Sequence, residues 1–143
     1  MTLPTTLAIT GASGAPYAVR LLEVLARAEV PVELIVSRHG WRLLKAESDI
    51  ADEDGLRAAT GGDWRSVTHY PDDDRGALPA SGSHRTAGMV ICPCSMGTVS
   101  AIAQGSSRSL VERAADVSRK GRRQVRLLLP TDAADGPTRG AGA

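Results

Sequence analysis

Phenylalanine is absent from this chain, and aromatic residues fill only 3% of its 143 positions. The core must therefore be aliphatic, built from Leu, Val, Ile and Ala. The scarcity also argues against single-stranded nucleic acid as a ligand, because that recognition rests on stacked aromatic side chains. A surplus of charge is lacking too. Lys and Arg number 17 against 16 Asp and Glu, a net charge of +1, so nothing advertises a nucleic-acid backbone or an anionic membrane surface. Apolar runs fall far short of the ~20 residues of a membrane-spanning helix. The N-terminal "MTLPTTLAIT" has neither the charged start nor the long apolar stretch of a signal peptide, so a cytoplasmic location is expected. Only two cysteines occur, Cys92 and Cys94, one residue apart in a strand-like segment. Their side chains should alternate across the strand, which argues against a mutual disulfide. They read as small buried hydrophobes. His39, His69 and His84 are scattered, and no metal site is expected.

The length suits one domain, and 42% apolar with 23% charged residues is ordinary for a globular one. The segment "LAITGASGAPYAVRLLEVL" reads as strand, small-residue turn and helix. A strand is expected over 6–10, ending at Gly11, with Ser13 as a candidate N-cap and Pro16 in the first helical turn. Tyr17, Leu21, Leu22, Val24 and Leu25 set the apolar stripe of that helix. A second strand follows over 30–37, and strand–helix–strand within about 30 residues predicts a parallel sheet. "RHGWRLLKAESDI" reads as a short helix. Residues 51–86 are polar and suggest a helical turn or two, a short strand near Val67 and a long loop. A buried strand is expected over 87–95, then a small-residue helix ending at Gly105. A second helix spans the stretch from Ser106 to Gln124, with Leu110, Ala114 and Val117 on one stripe, and a last strand runs over 125–130. The first 130 residues form the domain. Residues 131–143 hold no large apolar side chain and read as a disordered tail.

Four constellations carry possible chemistry. Gly11, Ala12, Ser13 and Gly14 form a strand-to-helix turn whose amides and hydroxyl could seat an anion. The glycine spacing matches neither the dinucleotide fingerprint nor a Walker A loop; the alternative is a turn that only lets the helix pack. Ser95 and Thr98 stand at a second such junction after "ICPC", and two junctions facing one crevice suit a phosphorylated ligand better than one. Ser37 ends the second strand, with Glu47 ten residues on. Glu47 could shuttle a proton, although by itself it reads as an exposed helix-end charge. Arg113 and Lys120, seven apart, share a helix face that could grip a phosphate or simply be a solvated basic surface.

Taken together, "ITGASGAPYAVRLLEVL", "SGSHRTAGMVICPCSMGTVSAIAQG" and "LVERAADVSRKGRR", with the acid of "AESD" between the first two, closely resemble the flavin prenyltransferases, the UbiX-like flavoproteins. The resemblance runs over roughly 7–123. It implies an α/β fold, a flavodoxin-like or Rossmann-like parallel sheet with helices on both faces. It implies FMN as the bound flavin and a homo-oligomer, a dodecamer in the family, with no metal. The implied reaction transfers a dimethylallyl group from dimethylallyl phosphate to reduced FMN, and the prenylated FMN serves a UbiD-type decarboxylase. By motif, Gly11, Ala12, Ser13, Ser37, Ser95, Met96, Gly97 and Thr98 correspond to the FMN-binding positions. Ser13 and Glu47 correspond to the residues near the reacting centre, and Ser81, Arg113 and Lys120 to the prenyl-phosphate site.

Departures begin after Arg123. Gly121 and Gln124 stand where the family has an acid and a proline, and no Arg-Glu pair follows the last strand. The change resembles a reading-frame shift or truncation, with C-terminal elements of the family missing. Two other readings remain at this point: an FMN-dependent flavoprotein of the cysteine decarboxylase type, for which His39 is the residue to watch, and a degenerate non-catalytic flavin-binding subunit.

Overall fold

Short aliphatic runs alternate with amphipathic segments, and the chain winds them into one parallel sheet covered on both faces. The computed structural model describes residues 2–130. Five strands, β1 (Thr5–Ile9), β2 (Val32–Val36), β3 (Val67–Pro71), β4 (Gly88–Ile91) and β5 (Val125–Leu127), lie in the order β3-β2-β1-β4-β5. Every neighbouring pair is parallel. Five helices connect them: α1 (Ala15–Arg27), α2 (Arg38–Ser48), α3 (Glu53–Ala59), α4 (Met96–Ala103) and α5 (Leu110–Lys120), with a 3-10 turn at Leu78–Ala80. The strand order reverses direction between β1 and β4, which opens a crevice at the carboxyl ends of the strands. The expected tail over 131–143 lies outside the described residues. Among those described, no helix is long and apolar enough to cross a membrane.

The period of two along each strand divides the core. Leu7, Ile9, Val32, Leu34 and Val36 pack with Ala15, Ala18, Leu22, Leu44 and Leu56 on one face. Ala8, Ile35, Met89 and Ile91 pack with Ile102, Leu110, Val111, Ala114 and Ala115 on the other.

Several boundaries differ from the sequence expectation, each for a local reason. β4 stops at Ile91 rather than Ser95. Pro93 has no N–H to donate, so the ladder cannot continue through it. β5 is three residues long, not six. α5 starts at Leu110 because Ser109 caps it, its Oγ accepting from the Glu112 N–H at 3.2 Å. In α1 the stripe drawn through the large residues meets the core only in part, through Leu22 and the partly buried Leu21 and Leu25. Ala15, Ala18, Leu22 and Ala26 are buried there, while Tyr17 is 65% and Val24 45% exposed. Alanines let the helix lie close on the strands, and of the larger side chains Tyr17 and Val24 turn outward.

Candidate functional site

A cavity of about 910 Å³ occupies the crevice. The residues just past β1 (Thr10, Gly11), β2 (Ser37, Arg38, His39), β3 (Asp72, Asp73) and β4 (Ser95, Gly97, Thr98) all line it. Its floor is tied by one buried hydroxyl. Thr10 Oγ1 donates to the Pro93 carbonyl at 2.7 Å and accepts from the Ser95 N–H at 2.9 Å, joining the ends of β1 and β4.

Three helices begin at this cavity, each with a serine cap: α5 at Ser109, and α2 and α4 after β2 and β4. Ser37 Oγ accepts from the Gly40 N–H at 3.0 Å. Ser95 Oγ accepts from the Thr98 N–H at 3.1 Å and donates to Thr98 Oγ1 at 2.8 Å. Lone pairs are thus used on the helix ends, while the Ser37 and Thr98 hydroxyl protons have no acceptor among the described residues. Hydroxyl donors beside the partial positive charge of helix N-termini favour an anion. Gly97 borders the cavity with nothing within 4 Å of the position its Cβ would take, so a ligand can approach its backbone.

The first junction is built differently from the expectation. Ser13 does not cap α1; Gly14 occupies the N-cap position, without a side-chain bond of its own. Glu47, from the far end of α2, reaches across instead. Its Oε1 accepts from the N–H groups of Gly14 (3.0 Å) and Ala15 (2.8 Å), and its Oε2 accepts from the Ser13 hydroxyl at 3.1 Å. The anion seat of α1 is therefore filled by the chain's own carboxylate. Glu47 is exposed overall, as a helix-end acid should be, yet it is bound to three donors.

Sequence reasoning missed the rest of the lining: Trp41, His69, Asp72, Asp73, Arg108, Ser109 and Glu112. His69 Nδ1 lies 2.6 Å from Glu53 Oε1, and its ring meets Trp41 edge-on at 5.9 Å. Asp72 docks α5: its carbonyl accepts from the Leu110 N–H at 2.8 Å and its Oδ1 from the Val111 N–H at 2.9 Å. Arg108 grips Glu112 through Nε (3.2 Å) and Nη2 (3.0 Å), and those bonds hold the Glu112 carboxyl below its ordinary value. Two signals could have found part of it. Ser109 and Glu112 match the capping-box spacing, and Asp72 directly follows a strand at the ligand edge of the sheet.

Burial pushes Asp72 above the usual carboxylate range despite its two amide partners, with the charges of Glu112 and Asp73 adding to the rise. The folded state thus disfavours the charged form. Asp72→Asn keeps the Oδ1 acceptor and removes the charge, so the variant should melt higher than the wild type at neutral pH. As pH falls through the Asp72 pKa the wild type takes up its proton, and the gap should close. Thermal melts from neutral to mildly acidic pH check this; a gap that widens on acidification would contradict it.

Of the residues singled out from sequence, Gly11, Ser37, Ser95, Gly97 and Thr98 line the cavity, whereas Ala12, Ser13, Glu47, Met96, Ser81, Arg113 and Lys120 are outside its lining. Ser81 Oγ lies 3.1 Å from Ser83 Oγ. Arg113 keeps its Nε buried with no partner. Lys120 pairs with Asp116 at 3.0 Å and is 77% exposed. Both thiols are buried outside the cavity lining, and burial raises Cys92 and pushes Cys94 up to about 11. Among the described residues no cluster of His, Cys, Asp and Glu could hold a metal ion.

A cavity of this kind, at the crossover of a five-stranded parallel sheet, belongs to many nucleotide-binding folds. A family model described as Flavoprotein matches residues 2–134. The chain belongs to the flavoprotein family. This flavoprotein is 45% identical over 130 residues to the flavin prenyltransferase UbiX of Alkalihalophilus pseudofirmus, a match covering 89% of the chain and 64% of that protein. It is 41% identical over 135 residues to the UbiX of Pseudomonas aeruginosa, covering 90% and 64%. Among solved structures it superposes on AnUbiX (PadA1), crystallised with FMN and dimethylallyl pyrophosphate, with a TM-score of 0.80 and 32% identity over 90% of the flavoprotein and 65% of that chain. A dodecameric FMN-dependent UbiX-like decarboxylase from Escherichia coli O157:H7 gives 0.78 and 32%, covering 89% and 65%. The flavoprotein thus spans just under two thirds of the length of these relatives.

Proposed function

We propose that this flavoprotein is a flavin prenyltransferase. It holds FMN in the cavity, transfers a dimethylallyl group to reduced FMN from dimethylallyl phosphate, and passes prenylated FMN to a UbiD-type decarboxylase. It works as a cytoplasmic homo-oligomer. The observation that carries this reading is the pair of hydroxyl-capped helix starts, Ser37 and Ser95–Thr98, converging on one crevice beside Gly11.

The residues fit the flavin phosphate. Ser37 and Thr98 have hydroxyl protons to donate, the α4 amides are open at Gly97, and the α1 seat is already taken by Glu47. FMN supplies the electron-rich ring to which the allylic group is joined. The chain's own part is to orient and to neutralise. Ser13 and Glu47, joined at 3.1 Å, form a two-residue proton path at the start of α1. Ala12 and Met96 border the same turns and shape the flavin's surroundings. Arg113, whose Nε lacks a partner, stabilises the leaving phosphate as negative charge develops, with Ser81 and Lys120 completing that site. Lys120 must then exchange Asp116 for the substrate.

His39 at the cavity rim favours a second reading, oxidative decarboxylation of a cysteinyl substrate. The test separates them. The chain is purified, its absorbance spectrum and bound flavin mass are recorded, and it is incubated anaerobically with reduced FMN and dimethylallyl phosphate. A flavin heavier by one dimethylallyl group is expected. A bound flavin that gains no mass, or conversion of a cysteinyl peptide instead, would overturn the proposal.

A further inference from the structure

The residues that line the cavity after β1, β2 and β4 (Thr10, Gly11, Ser37, Arg38, His39, Ser95, Gly97 and Thr98) include no carboxylate; the acids Asp72, Asp73 and Glu112 come from the end of β3 and the start of α5. Two arginines line the cavity, and their situations differ. Arg108 is committed to Glu112 through two bonds and is neutralised there. Arg38 has no hydrogen bond and no ion pair among the described residues. It is the first residue of α2, directly after the capping serine, so its charge is added to the positive end of that helix. An exposed arginine is ordinarily no more than a solvated charge. Here it borders a cavity where the Ser37 and Thr98 hydroxyl protons are also unused.

We infer that Arg38 is the residue that selects a phosphomonoester at this seat, so that the chain distinguishes FMN from riboflavin. The inference rests on the flavin reading above and adds to it the source of the counter-charge. A dianion at the Ser37 and Thr98 hydroxyls needs a cation that no carboxylate has claimed, and a guanidinium offers it two parallel N–H donors. Riboflavin, with a hydroxyl in place of the phosphate, would draw little from that charge.

The experiment titrates FMN and riboflavin separately into wild type, Arg38→Ala and Arg38→Lys, following flavin fluorescence at low and high salt. Arg38→Ala should weaken FMN by about tenfold or more, the weight of one charge-assisted contact. Riboflavin should change by less than about twofold, which also shows that the variant is folded. Arg38→Lys should recover part of the FMN preference, and high salt should shrink the preference in wild type more than in Arg38→Ala. An unchanged FMN-to-riboflavin ratio in Arg38→Ala, or equal loss of both flavins, overturns the inference while leaving the flavin reading intact. Wild type that binds neither flavin overturns that reading and this inference with it.

Discussion

Glu47→Ala is expected to abolish most turnover and to lower the melting temperature by a few degrees, whereas Glu47→Gln should lose the turnover alone. The Glu47 carboxylate accepts two backbone N–H groups at the start of α1 and the Ser13 hydroxyl. Alanine leaves those amides to water, the equivalent of a lost N-cap, at about 1 kcal/mol. Glutamine retains the Oε1 acceptor for both amides and so keeps the helix end. It cannot take up and release a proton. If Ser13 and Glu47 carry the proton, both variants should fall by about 10²- to 10⁴-fold in rate. Product formation measured by mass alongside thermal melts checks the pair. A Glu47→Gln enzyme with full turnover would reduce Glu47 to a helix cap.

The second large effect is structural. Gly11→Ala would place a Cβ 2.3 Å from the His39 Cβ and 3.0 Å from its carbonyl carbon. From the other side, a Cβ at Gly40 would stand 2.4 Å from the Ile9 carbonyl oxygen. The end of β1 and the first turn of α2 therefore meet with no side chain between them. Neither partner is the tip of a flexible chain, so Gly11→Ala must move backbone. A cost of about 1–3 kcal/mol or more is expected, together with loss of flavin retention because Ser37 moves with α2. Gly97→Ala is the control: that position is open, and its melt should match the wild type. A Gly11→Ala protein as stable as wild type, with flavin still bound, would contradict the close approach.

What could be read beforehand was whatever depends on local periodicity. β1, β2 and the helices flanking them follow from runs of Leu, Ile and Val broken by small-residue turns, and parallel pairing follows from their spacing. The helix start at Ser95 was legible because a serine after a strand-like run is an ordinary N-cap, and Ser95 caps α4. Three things were not legible. Alanine gives no hydrophobic stripe to count, so the buried face of α1 was drawn to include Tyr17 and Val24, which are exposed, beside Leu21, Leu22 and Leu25, which meet the core, while Ala15, Ala18 and Ala26 were left out. The partner of the first anion seat lies more than 30 residues away, so sequence supplied Ser13 as the cap when the cap is Glu47. The acids of the lining come from the end of β3 and the start of α5, joined by the bonds of Asp72 to Leu110 and Val111, and no local pattern announces such a contact.

The caps at Ser37 and Ser95 bear on how the site tolerates change. Much of what faces a ligand here is main chain: the amides of the α4 start, presented at Gly97 by a turn that Ser95 and Thr98 hold in place. An amide cannot be removed by exchanging the side chain it belongs to. Substitutions at Met96 leave that part of the donor set whole, and only proline deletes a member. The recognition surface is in this sense written in backbone shape, and alanine scanning along 95–98 would understate it.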